Sequence, residues 1–255
     1  MLPEPLFLNV HMYGIMVAIG ILCTFIVLFL YSSIKKVDSN FTDFVFYNGI
    51  AAIVVGFCSA ALFQAVYNYI ENPAAGFRFN GSITFIGGLL GGIASFVLGY
   101  FIFRRFYKVR LYQVVSIYPP CIIIAHAFGR IGCFFAGCCY GKPTDSFLGV
   151  KFPRLSVAVH PTQLYEAAFL FILFTVCSYL LLKKNFKHNL SLYLISYGVF
   201  RFFIEFLRND KRGALIGKIS PSQFWSILLV VAGVGMIFVL NYFHNKPIKS
   251  NEKEE

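Results

Sequence analysis

Charged side chains set inside apolar runs are the residues of this chain best placed to do chemistry. His126 and Arg130 stand in residues 125–142, AHAFGRIGCFFAGCCYGK, and Arg201 and Glu205 stand in a second apolar run, residues 193–207. An ionisable group beside hydrocarbon costs several kcal/mol on most scales, so its presence there argues for function. His126, Arg130, Cys133 and Gly137 recur at helical spacing and share one face if the segment is helical, as do Tyr197, Arg201, Glu205 and Arg208. Glu205 can neutralise either of its neighbouring arginines. Gly129, Gly132 and Gly137 leave room for another backbone or a lipid headgroup to approach. Guanidinium groups stay charged and donate paired hydrogen bonds to phosphate oxygens, so two arginines at a lipid surface suit a phosphodiester. The plainer reading of Arg201 and Glu205 is a bridge that only joins helices. A second arginine in a glycine-rich segment, with Glu166 in a third, favours function over that reading.

The stretch His160-Pro161-Thr162-Gln163-Leu164-Tyr165-Glu166 opens another apolar run. Pro161 fits the first turn of a helix, and Gln163 and Glu166, three apart, fall on one side of it. A lone His160 in this position is by default a capping or hydrogen-bonding group. Tyr13, at the start of the first apolar run, is by default an interfacial aromatic.

These residues must be positioned by membrane helices. The 255 residues are 58% hydrophobic and 13% charged and include 31 Phe, more apolar than a soluble core of this size requires. The apolar segments are roughly 17 to 25 residues long, enough for a helix to cross the bilayer, and lack the alternation of a membrane β-barrel. The chain reads as all-α, a polytopic membrane protein with seven transmembrane helices at residues 12–31, 44–69, 83–103, 112–128, 163–182, 190–207 and 222–243. Pro119-Pro120 should kink or shorten the fourth, with His126 onward a re-entrant or interfacial segment. Residues 1–245 form one membrane domain, followed by a polar cytoplasmic tail at 246–255.

Orientation follows from basic residues at the span ends. Lys35, Lys36, Arg104, Arg105, Lys108, Arg110, Lys183, Lys184, Lys187 and the tail lysines put the turns after spans one, three and five inside, so the N-terminus is out and the C-terminus in. Arg130, Lys142, Lys151, Arg154, Arg208, Lys211, Arg212 and Lys218 then fall outside against the charge bias. Long loops translocate regardless of charge, and these cations also suit anionic headgroups. The net charge of +11 is thus read as attraction to membrane lipids, with no nucleic-acid signature. The N-terminus lacks a basic region and cleavage site, so span one stays as an anchor. No internal repeat of the transporter kind is evident. Of seven cysteines, Cys23, Cys58, Cys121 and Cys177 lie within spans and behave as small hydrophobes. Cys133, Cys138 and Cys139 stand apart: packing or a disulfide, a metal site, and a reactive thiol all remain open, although their spacing matches no standard zinc pattern.

Five segments, in order, resemble the bacterial prolipoprotein diacylglyceryl transferase family of seven-helix membrane enzymes. Met12-Tyr13-Gly14-Ile15-Met16 is similar to its Trp-Tyr-Gly-Leu-Met element and Phe85-Ile86-Gly87-Gly88-Leu89 to its His-Gly-Gly element. Gly129-Arg130-Ile131-Gly132 begins its signature, residues 160–166 resemble His-Pro-Ser-Gln-Leu-Tyr-Glu, and Tyr197 to Arg208 resembles its penultimate-helix motif. The departures are also specific. Ile86 stands where the family has a functional His, and Cys133, Ala136 and Cys138 stand where its signature has two Asn and a Glu.

The resemblance implies transfer of a diacylglyceryl group from phosphatidylglycerol to the lipobox cysteine thiol of a preprolipoprotein, releasing glycerol phosphate, in the bacterial cytoplasmic membrane. Arg130 and Arg201 are then the catalytic cations. With Ile86 in place of the family His the base is open: His126 and His160 are candidates by elimination, and the arginine field alone is the alternative. Tyr13, Gly129, Gly132, Gln163, Tyr165, Glu166, Glu205 and Arg208 line the substrate. No cofactor and no metal are expected. The altered signature keeps two other readings open: a phospholipid-dependent transferase with a different acceptor, and a lipid-binding or transport protein whose charges line a pathway.

Overall fold

Length and hydropathy make the elements. Among residues 11–79, 84–107, 111–209 and 220–245, which this computed structural model describes, seven helices are long and apolar enough to cross a membrane. They are α1 (Met12–Ile34), α2 (Ser39–Glu71), α3 (Phe85–Phe103), α4 (Leu111–Ala136), α5 (Thr162–Lys184), α6 (Asn189–Ile204) and α7 (Pro221–Asn245). Short 3-10 turns follow α2 at Pro73–Ala75 and α6 at Glu205–Leu207. No strand occurs among the described residues, only isolated bridges. Large apolar side chains such as Phe101, Phe203 and Phe238 face outward, which suits hydrocarbon and not water. This is the all-α, seven-span membrane architecture expected from the sequence. Residues 1–10 and the tail from 246 lie outside the described residues, as do Lys108, Arg110, Lys211, Arg212 and Lys218.

The chain divides into two compact units, one of them Ser32–Val114. Its two helices, α2 and α3, meet through small residues. A Cβ on Gly91 would stand 2.3 Å from the Ser59 Cβ, and one on Gly88 3.3 Å from the Ala60 Cβ. Apolar lipid gives two helices no hydrophobic reason to associate, so close backbone packing and interhelical hydrogen bonds must do it. Asn48 Nδ2 donates to the Phe96 carbonyl at 2.9 Å, and Thr84 Oγ1 donates to Gln64 Oε1 at 2.6 Å. Asp38 caps α2, its carboxylate accepting from the Asn40 amide. Ile86 sits in the first turn of α3 and is half exposed.

The other unit, Met1–Tyr31 with Val115–Glu255, holds the charged residues. Its core is Ile123 and Ala127 of α4 with Leu170, Leu173 and Cys177 of α5, flanked by Leu192, Tyr193 and Tyr197 of α6. Here the structure departs from the sequence-based expectation. Helix α4 is not shortened at Pro119-Pro120, and His126 does not open a re-entrant segment: one helix runs on to Ala136.

The reason lies in a hydrogen bond from outside the helix. Pro120 has no N–H, so the Ser116 carbonyl one turn earlier loses its usual donor. Asn189 Nδ2, from the first residue of α6, supplies that donor at 3.0 Å. Thr24 Oγ1 of α1 adds a bond to the Cys121 carbonyl at 2.9 Å. A side chain on a neighbouring helix thus satisfies the Ser116 carbonyl that proline frees, as a membrane interior requires. Asn189→Leu should therefore destabilise the purified protein by about 1–3 kcal/mol, the cost of removing one partner of a buried hydrogen bond. Thermal unfolding in detergent measures it, and an unchanged midpoint would contradict this account.

Candidate functional site

Helices α4, α5 and α6 each bring one turn to a shared charged cluster. Glu166, on the second turn of α5, is 1% exposed. A carboxylate that deep must be paired or it would not stay charged. Arg130 of α4 provides the counter-charge, its Nε 2.9 Å from Glu166 Oε1. The Tyr197 hydroxyl of α6 donates to the same oxygen at 2.6 Å and accepts from Arg130 Nη2 at 3.3 Å. These three groups close a ring of charge-assisted hydrogen bonds. His126, one turn before Arg130, joins it more loosely. Its Nδ1 is 3.0 Å from the Tyr193 hydroxyl and its Nε2 4.0 Å from Glu166 Oε1, while its ring meets the Tyr197 ring edge-on at 4.7 Å.

A second charged group forms where α6 ends. Arg201 Nη2 is 3.0 Å from Glu205 Oε2 and donates to Ser222 Oγ of α7 at 3.1 Å. Glu205 Oε2 also lies 3.8 Å from Arg208 Nε, and its Oε1 accepts from Ser220 Oγ at 3.1 Å. Its contact with Arg201 has the distance of an ion pair but not the geometry of a hydrogen bond. Arg201 Nη1 is buried without a hydrogen-bond partner. The Arg201 charge reaches Glu166, His126 and Tyr197, so the two groups share one electrostatic field.

The loop between α4 and α5 folds onto the ends of α5 and α6. Gly137 and Cys139 both take positive φ, +67° and +63°, reversing the chain after Ala136. For cysteine that conformation costs about 1 kcal/mol or more and persists only where the surroundings impose it. Thr162 Oγ1 donates to the Cys139 carbonyl at 2.7 Å, and Gln163 Nε2 donates to the Cys138 carbonyl. Farther on, the Lys142 amide donates to the Leu207 carbonyl at 2.7 Å and Gly141 pairs with Arg208 as an isolated bridge. The turn gathers the thiols of Cys133, Cys138 and Cys139 within 4.8 Å of one another, all three free. The Cys138 thiol is pushed up by its hydrogen bonds to Cys133 and Cys139. Cys139 is pulled far below the ordinary thiol range by those of Cys133 and Cys138, with Arg208 beside it adding to the effect.

Most residues singled out in the sequence meet here. Arg130, His126, Glu166, Arg201, Glu205 and Arg208 belong to the two linked groups. Gly132 is a true close approach, since a Cβ there would stand 3.1 Å from the Tyr13 ring and 3.3 Å from the Met16 Cβ. That contact holds the start of α1, and Tyr13 with it, against α4. Gly137 serves the turn, and Gly129 faces open space. Gln163 is buried and ties α5 to the cysteine loop, its Oε1 without a hydrogen-bond partner. His160 and Tyr165 pair with each other, Nδ1 to hydroxyl at 3.2 Å; nothing brings them into the Glu166 ring. Tyr193, Ser220 and Ser222 were not singled out. Tyr193 could have been, because it extends the face of Tyr197, Arg201, Glu205 and Arg208 by one more turn. Nothing in the sequence marks the two serines.

Such an arrangement can hold an anion. Two guanidinium groups, one with a buried unused N–H pair, lie in a poorly solvated interior where fixed donors act on a developing negative charge far more strongly than in water.

Comparison with known proteins agrees with the motifs. The family model described as prolipoprotein diacylglyceryl transferase matches residues 4–239. A phosphatidylglycerol–prolipoprotein diacylglyceryl transferase of Clostridium tetani is 35% identical over 243 residues, covering 92% of this chain and 93% of the relative. A second so named, from Clostridium perfringens, is 32% identical over 237 residues and covers 89% and 90%. One from Methylococcus capsulatus is 35% identical over 247 residues, covering 90% of each chain.

Proposed function

This chain belongs to the prolipoprotein diacylglyceryl transferase family, and from that premise we propose that it transfers a diacylglyceryl group from phosphatidylglycerol to the lipobox cysteine thiol of preprolipoproteins. The observation that carries the reading is the pair of arginines in one field. Arg130 is anchored by Glu166 and Tyr197, and Arg201 keeps a buried Nη1 without a partner.

In this reaction the acceptor sulfur bonds to the terminal glyceryl carbon as the bond from that carbon to the phosphate oxygen breaks. Its electron pair leaves on glycerol phosphate. Charge grows on the departing oxygen, and groups fixed around that oxygen lower the barrier most. Arg201 supplies unused donors, and Arg130 a charge whose position Glu166 fixes beforehand. Glu205 holds Arg201 and Arg208 together, and Tyr13, Gln163 and Glu166 keep α1, the cysteine loop and α4 in place around them. The acceptor must reach the site as thiolate; His126 and His160 are the candidate bases, and of the two His126 lies 4.0 Å from Glu166.

With phosphatidylglycerol as donor, the setting we propose is the bacterial cytoplasmic membrane, with the site open to its outer leaflet. Supporting that orientation, Lys35, Lys36, Arg104, Arg105, Lys183, Lys184 and Lys187 cluster at the turns after α1, α3 and α5. Single cysteines introduced near Lys142 and near Lys184 should be labelled by an impermeant maleimide from the outer and the inner face respectively. Labelling of the Lys142 site only from inside would overturn the orientation.

The activity is tested with purified protein, labelled phosphatidylglycerol and a lipobox peptide, with a peptide carrying serine at the acceptor position as control. Transfer to the cysteine peptide is expected, and its absence with folded protein would refute the reading. Lysine keeps the charge of arginine but loses its planar fork. Arg130→Lys and Arg201→Lys should each slow transfer by at least ~10-fold, the equivalent of ~1.4 kcal/mol. If both serve one leaving group, the double variant should fall well short of the product of the two effects. Full activity in either variant, or effects that multiply, would return Arg201 to a structural partner of Glu205.

A further inference from the structure

The three-thiol cluster between α4 and the end of α6 has no role in the chemistry described so far. We propose that Cys133, Cys138 and Cys139 form a zinc site with an open fourth position, and that this position takes the acceptor cysteine and presents it as a thiolate. The inference rests on the reading of the protein as a thiol-directed transferase.

Geometry is the first support. Zinc–sulfur bonds of roughly 2.3 Å in tetrahedral arrangement set sulfurs about 3.8 Å apart. The three thiols already lie within 4.8 Å of one another, so a small contraction closes the site. The left-handed conformation of Cys139 is the second. A non-glycine residue held there is backbone strain, which persists where surrounding structure imposes it and collects at functional sites. Thr162 and Gln163 impose it from α5 through the carbonyls of Cys139 and Cys138. Short spacing in sequence hid this site: four residues between Cys133 and the Cys138-Cys139 pair match no standard zinc pattern, but the reversal at Gly137 puts the pair back over the last turn of α4.

Charge is the third support. Three thiolates leave a divalent ion with net charge −1, and a fourth makes −2. Arg208 hydrogen-bonds Cys139 and Arg130 lies within electrostatic reach of Cys133, so cations stand where that charge would be. Arg130 is one of the two arginines proposed to hold the phosphate, and Arg208 shares Glu205 with the other, Arg201. A thiolate at the fourth position is therefore close to the lipid headgroup it must attack beside.

Chemistry supplies the reason. The transferase needs a deprotonated sulfur, and the contacts of the two histidines orient them without bringing either to the acceptor: His126 Nδ1 is engaged by Tyr193 and its ring is packed against Tyr197, and His160 Nδ1 is engaged by Tyr165, which leaves only Nε2 of each to take a proton. A thiol that coordinates zinc is deprotonated outright, and three protein ligands with one open position is the arrangement of catalytic zinc. On binding, the acceptor S–H gives its proton to water. The sulfur pair then forms the S–C bond to the glyceryl carbon, the C–O bond breaks, and its pair leaves on glycerol phosphate. The thioether product is a weak ligand and exchanges for the next thiol.

The test uses the full chain, purified in detergent with reductant and loaded with Co2+ as a spectroscopic probe. One equivalent should bind with a sulfur-to-cobalt charge-transfer band and tetrahedral ligand-field bands, both displaced by Zn2+. A lipobox peptide with cysteine should change the bands and one with serine should not. Cys133→Asn and Cys138→Glu, each checked for an unchanged thermal midpoint, should weaken metal binding by at least ~10-fold. No stoichiometric band, or a band indifferent to the cysteine peptide, would overturn the proposal. Transfer undiminished in a strong chelator would overturn it too while leaving the transferase reading intact. Coordination of the peptide thiol without transfer from phosphatidylglycerol would instead support the metal site and count against the donor.

Discussion

The Glu166 carboxylate is the constraint around which the charged unit is organised. A lone carboxylate with 1% exposure inside membrane-spanning helices would neutralise itself or expel its helix. It stays because α4 and α6 each deliver a donor to the same oxygen, Arg130 at 2.9 Å and Tyr197 at 2.6 Å. Removing one partner of such a pair costs about 3–5 kcal/mol, since the other is left charged and dry. Three helices are therefore locked in rotation by one atom. That locking is what fixes an arginine in a place where a flexible cation would lose its advantage.

The second group is built differently. Arg201, Glu205 and Arg208 come from one continuous stretch, and the 3-10 turn at Glu205–Leu207 swings Arg208 away from the α6 axis toward the cysteine loop. Glu205 is shared by two arginines and a serine, and Arg201 retains an unused buried N–H pair. The first group is saturated and positional; the second is left able to accept a ligand. The first group fixes where the Arg130 charge sits, and the second keeps the Arg201 donors open.

Much of this was legible in the sequence, for physical reasons that can be named. Apolar runs of bilayer length gave the seven helices, and helical spacing put His126 with Arg130 and Tyr197 with Arg201, Glu205 and Arg208. Spacing could not show that Arg130 chooses Glu166, because that pairing depends on how α4, α5 and α6 are rotated. The continuation of α4 through Pro119-Pro120 was misread because the compensating donor, Asn189, lies 73 residues from Ser116. The cysteine cluster was hidden for a related reason: one positive φ at Gly137 and another at Cys139 decide whether three sulfurs meet, and no sequence pattern encodes the second.

The central claim is that the Arg130–Glu166 pair organises this site as a unit. A double-mutant cycle tests it most directly, with Arg130→Gln, Glu166→Gln and the double variant compared with the parent by unfolding of the purified protein. The account predicts that each single change is severely destabilising and that the double is milder than their sum by at least ~2 kcal/mol. Losses that simply add, to within ~0.5 kcal/mol, would show that the two charges do not depend on each other and would contradict it.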